Sequence, residues 1–456
     1  MTPSSPRRVL AVLIAAVLAA VAGASTLETI EFDGFTATFD PDQAFIVLEG
    51  DLDCSRFGGE SAVRVTETAG RAGNADYLVY LPADWNGDLV LFGHGQVDGV
   101  PDGQFWFPLP LGFGPEREDM PFVVNRDIAL CQGFAWAASA FARHGPAYED
   151  AIRDTHLLQP VARRHLPAEP GAVFVTGSSL GGLVAVALAE TYPDRYDGAL
   201  ADRAGLGGLI MVVSHIGQTR RVFDVFFPGL VDPAEPDDRS LTMPAFMAFR
   251  EALLERIQAE PEVLARMASV RLPMSERWDP DGVGIPLLLE NPHAPNPMAA
   301  FSSLVNSLMV RMSSDLLGGD AGRAMGYVGM PWDIREYVFT GFGWTAEEEA
   351  DLNAELSRFE PDFSGIDYWT AYYEPTGRLE IPVVAVFASH DPIVTIVNAW
   401  AYQQAVDEAG AGDLYSAWVI DRYGHGTITA PEIAAAFRGL IDWAETGERP
   451  TWPTTP

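Results

Sequence analysis

The chain has 456 residues, of which 48% are hydrophobic and 20% are charged, a composition typical of a globular protein with a large apolar core. Its 63 acidic residues outnumber its 29 basic residues, so the formal net charge is −34 at pH 7. Because nucleic acids and anionic membranes are themselves negatively charged, this balance excludes both as favoured partners.

The N-terminus has the pattern of a secretory signal peptide. Arg7 and Arg8 precede an apolar run over 9–21, and small residues follow at 22–24, where a cleavage site is expected. We therefore predict cleavage near Ala24 and a secreted or periplasmic mature protein. The alternative is an uncleaved membrane anchor. However, the run is short for a membrane span and no later segment is long and apolar enough, so we expect no stable anchor.

The sequence contains two cysteines, Cys54 and Cys131. In an oxidising compartment we expect them to form a disulfide, and the alternative is a pair of buried free thiols. Two cysteines are too few for a zinc site built from cysteine alone.

From residue 75 onward the apolar pattern alternates between strands and helices. In chain order it predicts a strand over 75–82, a strand over 88–95, a strand over 133–141, a helix over 147–165, a strand over 172–177, a helix over 180–192 and a strand over 197–205. Strands that alternate with helices indicate a mainly parallel sheet with helices on both faces.

The alternation stops over 206–365, where the pattern is mostly helical and interrupted by prolines. It resumes with a strand over 381–389, a helix over 396–409, a strand over 414–421 and a helix over 430–445. We therefore predict a signal peptide (1–24), the first part of an α/β core (25–205), an inserted helical cap (206–365) and the second part of the core (366–456). The cap is rich in methionine and aromatic residues, which suit either a tolerant apolar pocket or the core of the cap itself.

A glycine-flanked serine follows the strand over 172–177. In the pattern Gly-x-Ser-x-Gly, Gly177 and Gly181 flank Ser179 between a predicted strand and a predicted helix. A turn of this kind exposes its central serine as a nucleophile, so Ser179 is the candidate. The alternative is a structural turn whose serines have no chemical role.

A serine hydroxyl needs a base and an orienting acid. His425 lies between two glycines after the last predicted strand, and Asp391 follows the strand over 381–389. The rival acid is Asp202, at the end of the strand after the nucleophile helix. His390 is predicted to be only a neighbour of the acid, and His94 to shape the loop after the strand over 88–95, the alternative being a turn histidine without a role. The other histidines are predicted to be surface or packing residues: His144, His156, His165, His215 and His293.

An acyl-transfer site also needs N–H donors for the oxyanion. The N–H of Leu180, directly after the nucleophile, is one candidate. The loop after the strand over 88–95 offers the other, with Gly95 permitting close approach and Gln96 supplying the N–H.

These segments resemble the α/β-hydrolase superfamily, through "GHG" (93–95), "GSSLG" (177–181), "SHD" (389–391) and "GHG" (424–426). The resemblance implies a mainly parallel sheet, a Ser-Asp-His triad in that chain order, and hydrolysis through an acyl-enzyme. The chain is also somewhat similar to the tannase and feruloyl esterase group. That group, however, has a cysteine beside the serine and another beside the histidine, where this chain has Ser178 and Gly424.

We therefore expect a secreted serine hydrolase that cleaves small or polymeric carboxylic esters. One alternative is a serine peptidase or amidase with the same triad, and another is a non-catalytic binding protein on the same fold. The sequence shows no phosphate loop, dinucleotide fingerprint or zinc-protease pattern, so we expect no cofactor and no metal. The sequence does not predict an oligomeric state.

Overall fold

A computed structural model of the protein describes residues 28–32, 35–39, 46–57, 62–96, 121–143, 147–230, 243–260, 262–268, 270–272, 285–286, 338–339, 345–355, 370–391 and 393–453. The predicted signal peptide, 1–24, lies outside them, and so does a large part of the predicted cap, 206–365. Both stay predictions, as do the domain boundaries. Among the described residues, no helix combines the length and the apolar character that crossing a membrane requires.

In chain order the strands are β1 (Glu28–Phe32), β2 (Phe35–Phe39), β3 (Ile46–Asp53), β4 (Ala62–Ala72), β5 (Ala75–Pro82), β6 (Leu89–Gly93), β7 (Ala135–Ser139), β8 (Val173–Ser178), β9 (Gly198–Asp202), β10 (Val270–Leu272), β11 (Ile285–Pro286), β12 (Val338–Phe339), β13 (Val383–His390) and β14 (Tyr415–Tyr423). The helices are α1 (Pro121–Cys131), α2 (Tyr148–Arg163), α3 (Leu180–Thr191), α4 (Leu209–Phe226), α5 (Met243–Ala259), α6 (Glu262–Ala268), α7 (Ala346–Glu355), α8 (Val397–Glu408) and α9 (Ala430–Thr446).

The chain divides into two compact units, each built from separate stretches of sequence. The first contains the described residues of Met1–Asp202, Leu379–Ala385 and Thr429–Pro450. The second contains those of Arg203–Arg378, Val386–Ile428 and Thr451–Pro456.

A mixed sheet forms the centre of the first unit. Its strands follow the order β1-β2-β4-β5-β7-β6-β8-β9, and β3 pairs with β4. The pairs along β1, β2, β4, β5 and β7 are antiparallel, whereas β7, β6, β8 and β9 run parallel. The N–H of Ala199 in β9 donates to the carbonyl of Pro382 at 3.0 Å, next to the start of β13. The parallel strands β6 to β9 confirm the predicted α/β sheet, and the antiparallel strands before them make the sheet mixed.

The parallel strands are apolar on both faces because helices cover them. Every residue of β6, β7 and β8 is buried. Helix α3, which connects β8 to β9, is apolar all round and packs on both of these strands. A helix of this kind is stable only inside a core, and here it fixes the position of the turn that precedes it.

The last helix, α9, returns to the first unit and packs on β9 and α1. Phe437 of α9 lies edge-on to Phe134, with the ring centroids 5.3 Å apart. The helix begins at a capping box formed by Thr429 and Glu432, and it ends at Gly447, which has the left-handed backbone conformation.

Cys54 and Cys131 form a disulfide, with their Cα atoms 5.5 Å apart. The bond joins the segment after β3 to the last residue of α1. It confirms the expected pairing, and the alternative of two free thiols is wrong.

In the second unit, β13 from Val386 onward lies beside β14. Helix α8 connects these strands in the chain, and Val397 and Ala401 of α8 form a buried apolar cluster with Met211 of α4. A small antiparallel sheet has the order β11-β10-β12.

Candidate active site

Ser179 lies at the turn between β8 and α3, as predicted. Its backbone has φ 55° and ψ −117°, a conformation that costs free energy for a residue other than glycine. Such strain persists only where the surroundings enforce it. The strand, the turn and the helix together form the context that the Gly-x-Ser-x-Gly pattern requires of a nucleophile.

Glycines allow the backbones around this turn to touch. A Cβ atom on Gly177 would overlap the carbonyl oxygen of Gly181, and a Cβ atom on Gly181 would overlap the carbonyl oxygen of Gly93. Larger residues at 177 or 181 would therefore push α3 away from the ends of β6 and β8. The close backbone contacts explain why small residues stand at 177 and 181, and that these glycines flank a nucleophile stays a prediction.

Asp202 binds both serines of the turn. The hydroxyl of Ser178 donates to Oδ2 of Asp202 at 2.8 Å, and the N–H of Ser179 donates to the carbonyl oxygen of Asp202 at 2.8 Å. Ser178 and Asp202 are paired in register at the ends of β8 and β9, and both are buried. Sequence reasoning considered Asp202 only as a rival acid, and the contact with Ser178 had no signal beyond the position of both residues at strand ends.

His425 and Asp391 form a hydrogen-bonded pair in the second unit. Nδ1 of His425 lies 2.7 Å from Oδ2 of Asp391, and Asp391 is almost completely buried. An ionised carboxylate only accepts, so Nδ1 carries the proton and Nε2 is the unprotonated nitrogen, the form of imidazole that can accept a proton as a general base.

The second carboxylate oxygen of Asp391 is held by the backbone. Oδ1 accepts from the N–H groups of Ile393 and Val394, at 2.8 and 3.0 Å. These bonds fix the rotation of the carboxyl group, so Oδ2 stays directed at the imidazole.

Positive backbone angles shape the loop that presents His425. Gly424 and Gly426 have φ angles of 111° and 92°, a backbone conformation that glycine adopts more easily than residues with a side chain. The N–H of Gly424 donates to the carbonyl of His390 at 3.1 Å, so the loop is tied to the end of β13. A Cβ atom on Gly426 would lie 3.0 Å from the guanidinium of Arg203, a residue that the sequence gave no reason to consider.

Gly95 lies beside Ser179 in the first unit. A Cβ atom on Gly95 would be 3.4 Å from the carbonyl oxygen of Ser178 and 3.5 Å from Cβ of Ser179. His94 supports this loop: its Nδ1 lies 2.6 Å from the carbonyl oxygen of Gly95, and its ring stacks on Phe141 with centroids 3.9 Å apart.

The two residues predicted to donate N–H groups to the oxyanion lie on either side of this contact in the sequence: Leu180 follows Ser179, and Gln96 follows Gly95. Leu180 is the first residue of α3, and the first N–H groups of a helix have no acceptor within the helix. Gln96 directly follows Gly95 and is partly exposed. That these two N–H groups bind an oxyanion stays a prediction.

Three other histidines have side-chain partners outside the predicted catalytic residues. Nδ1 of His156 lies 2.6 Å from the hydroxyl of Tyr196, and Nε2 of His165 lies 3.0 Å from the hydroxyl of Tyr77. Nδ1 of His390 lies 2.5 Å from the hydroxyl of Ser389. The remaining histidines are His215, which is buried, and His144 and His293, which lie outside the described residues. Within the part of the chain that is described, no three His, Cys, Asp or Glu side chains are grouped to hold a metal ion.

The chain was compared with protein families, with characterised proteins and with solved structures, and each comparison found similar proteins. The family model described as "Putative esterase" matches residues 118–202, a stretch that includes Ser179. The chain is 24% identical over 430 residues to an o-phthalyl amidase from Xanthobacter agilis, and the match covers 84% of this chain and 87% of the amidase.

Among solved structures, the tannin acyl hydrolase from Aspergillus niger is similar in fold, with a TM-score of 0.50 and 11% identity over 96% of this chain and 88% of that one. The feruloyl esterase B from Aspergillus oryzae aligns with a TM-score of 0.45 and 14% identity, over 94% of this chain and 90% of that one.

Proposed function

We propose that this chain, a hydrolase of the α/β-hydrolase superfamily, cleaves carboxylic esters through an acyl-enzyme on Ser179, with His425 as base and Asp391 as orienting acid. The observation that carries the proposal is the strained backbone of Ser179, held between a buried strand and a buried helix. The bonded pair of Asp391 and His425 supports it, because it provides an imidazole in the tautomer that a serine nucleophile needs.

In the proposed mechanism the hydroxyl of Ser179 gives its proton to Nε2 of His425 as its oxygen attacks the ester carbonyl. The N–H groups of Leu180 and Gln96 bind the oxyanion that forms. His425 then gives the proton to the departing alcohol, which leaves an acyl group on Ser179. A water molecule, deprotonated by the same imidazole, releases the acid and restores the enzyme. Asp391 stabilises the imidazolium without taking its proton.

The proposal is tested by covalent labelling with a fluorophosphonate, which reacts with an activated serine. We expect one adduct, mapped by mass spectrometry to Ser179. Ser179→Ala should abolish labelling and lower ester turnover by several orders of magnitude, with the fold retained. Ser55→Ala, which changes an exposed serine, is the matched control and should be labelled as fast as the wild type. An unlabelled wild type would instead favour a non-catalytic binding protein on this fold.

An amidase is the second candidate, because the curated relative is an o-phthalyl amidase. We place it behind the esterase because the family model that spans Ser179 describes esterases, and because an amide has the poorer leaving group. Matched p-nitrophenyl esters and p-nitroanilides of acetic, benzoic and phthalic acid separate the two. Higher kcat/KM on the anilides than on the esters would reverse the order.

Export and the cap belong to the same proposal. The N-terminal pattern over 1–24 supports a signal peptide that directs the chain to a secreted or periplasmic location, where the disulfide would form. N-terminal sequencing of the mature protein after expression of the full chain tests the cleavage near Ala24.

The segment over 206–365 is proposed to cover the active site and to select a small or polymeric ester.

A further inference from the structure

The two serines of the turn share one partner, Asp202. Its carboxylate accepts the hydroxyl of Ser178 at 2.8 Å, and its carbonyl oxygen accepts the N–H of Ser179 at 2.8 Å. Asp202 is 1% exposed and Ser178 is 3% exposed, so water does not compete for the bond between their side chains.

The backbone of Ser179 is the part of the turn that needs this support. Its φ of 55° costs about 1–3 kcal/mol for a residue with a side chain, and such a residue relaxes unless several contacts hold it. The sheet register places Ser178 opposite Asp202 at the ends of adjacent parallel strands. One aspartate therefore fixes the side chain before the nucleophile and the backbone of the nucleophile itself.

We propose that Ser178 and Asp202 are positioning residues, whose buried hydrogen bond holds the strained turn so that the hydroxyl of Ser179 is presented for attack. This inference rests on the proposed function, because it concerns the nucleophile of that mechanism. Neither residue exchanges a proton with the substrate. Their contribution is to the orientation of Ser179, so their loss slows acylation and leaves substrate affinity and the titration of the base unchanged.

The test is the rate constant for acylation of Ser179, measured both by fluorophosphonate inactivation and by the burst phase of an activated ester. Ser178→Ala should lower it roughly 10- to 100-fold, the effect of losing one hydrogen bond to a charged group. Asp202→Asn keeps an acceptor oxygen at the same place and should stay within about threefold of the wild type. The substrate dissociation constant, taken from the concentration dependence of the burst rate constant, and the midpoint of the pH profile should not change in either variant.

Two further variants keep the test interpretable. Tyr196→Phe removes a buried hydrogen bond to His156 elsewhere in the same unit, and it should leave the acylation rate unchanged. Combining Ser178→Ala with Asp202→Ala should cost no more than the larger single loss, because both remove the same bond.

The outcomes separate this inference from the proposed function. A wild type that is not labelled at Ser179 overturns the mechanism itself. A wild type that is labelled, together with a Ser178→Ala variant that reacts at the same rate, overturns only the positioning role. A loss of about 10⁴-fold in Asp202→Asn would identify Asp202 as the orienting acid and would overturn the positioning role as well.

Discussion

Replacing Glu374 with glutamine should stabilise the protein at neutral pH and remove part of the pH dependence of its unfolding. Glu374 lies against the beginning of α4, where its carboxylate accepts the N–H of Ile210. A Cβ atom on Gly208 would overlap Oε2 of Glu374, and Oε1 is buried without a hydrogen-bond partner among the described residues. Burial raises the pKa of Glu374 from 4.5 to about 7, and the bond from Ile210 opposes this rise only in part.

The magnitude follows from the difference between the folded and the unfolded chain. One pKa unit corresponds to about 1.4 kcal/mol, so a rise from 4.5 to about 7 corresponds to about 3 kcal/mol. Because the pKa is raised on folding, the folded state binds the proton more tightly. Its contribution to stability is complete below pH 4.5 and is lost as the pH rises through about 7. Glutamine cannot ionise, so Glu374→Gln loses no stability over this range.

The assay is urea denaturation of the wild type and of Glu374→Gln at several pH values from 4.5 to 8. The free energy of unfolding of the variant, minus that of the wild type, should increase by about 3 kcal/mol across this range. Glu380→Gln, which changes an exposed glutamate close by in the chain, is the matched control and should show no such trend. If the free energies of unfolding of Glu374→Gln and of the wild type differ by the same amount at every pH, burial does not raise the pKa of Glu374 and the reasoning is wrong.

Three more changes test other parts of the structure. Asp391→Asn should lower kcat about 10⁴-fold without unfolding the protein, because an amide holds the imidazole in the wrong tautomer; a loss below tenfold on a chromogenic ester would exclude Asp391 as the orienting acid. Replacing Cys54 and Cys131 together by alanine should lower the free energy of unfolding by about 4.5 kcal/mol, because the disulfide closes a loop of 77 residues. An unchanged urea midpoint would contradict that estimate. Thr429→Ala should cost about 1 kcal/mol by removing the N-cap of α9, and Thr429→Ser should restore most of it.

The elements with strong local signals could be predicted from the sequence. The strand predicted over 75–82 is β5, and the helix predicted over 180–192 is α3, which ends one residue earlier. Both are apolar runs bounded by turn residues, so the pattern itself marks their limits. Helix α1 was not predicted, because its apolar residues are interrupted by three polar residues, Asn125, Arg126 and Asp127, and no capping residue marks its start.

The contacts that join distant residues could be predicted only where chemistry required them. Asp391 and His425 were paired in advance because a base needs an acid, and their bond in the structure agrees with that reasoning. The bond from Ser178 to Asp202 joins residues 24 positions apart, and the placement of Glu374 against Gly208 joins more distant ones. Neither is required by a known pattern, because each depends on the register of strands or on the packing of a loop, which the sequence does not encode locally.

The return of α9 to the first unit has a consequence for biosynthesis. When the ribosome has completed residue 202, the sheet still lacks the helix that covers β9 and α1, and Phe134 still lacks Phe437. The nascent N-terminal half therefore exposes an apolar surface until almost the whole polypeptide has been made, and such surfaces are sites of aggregation. A chain shortened before residue 430 would leave this surface permanently uncovered, even though every residue of the serine turn would be present.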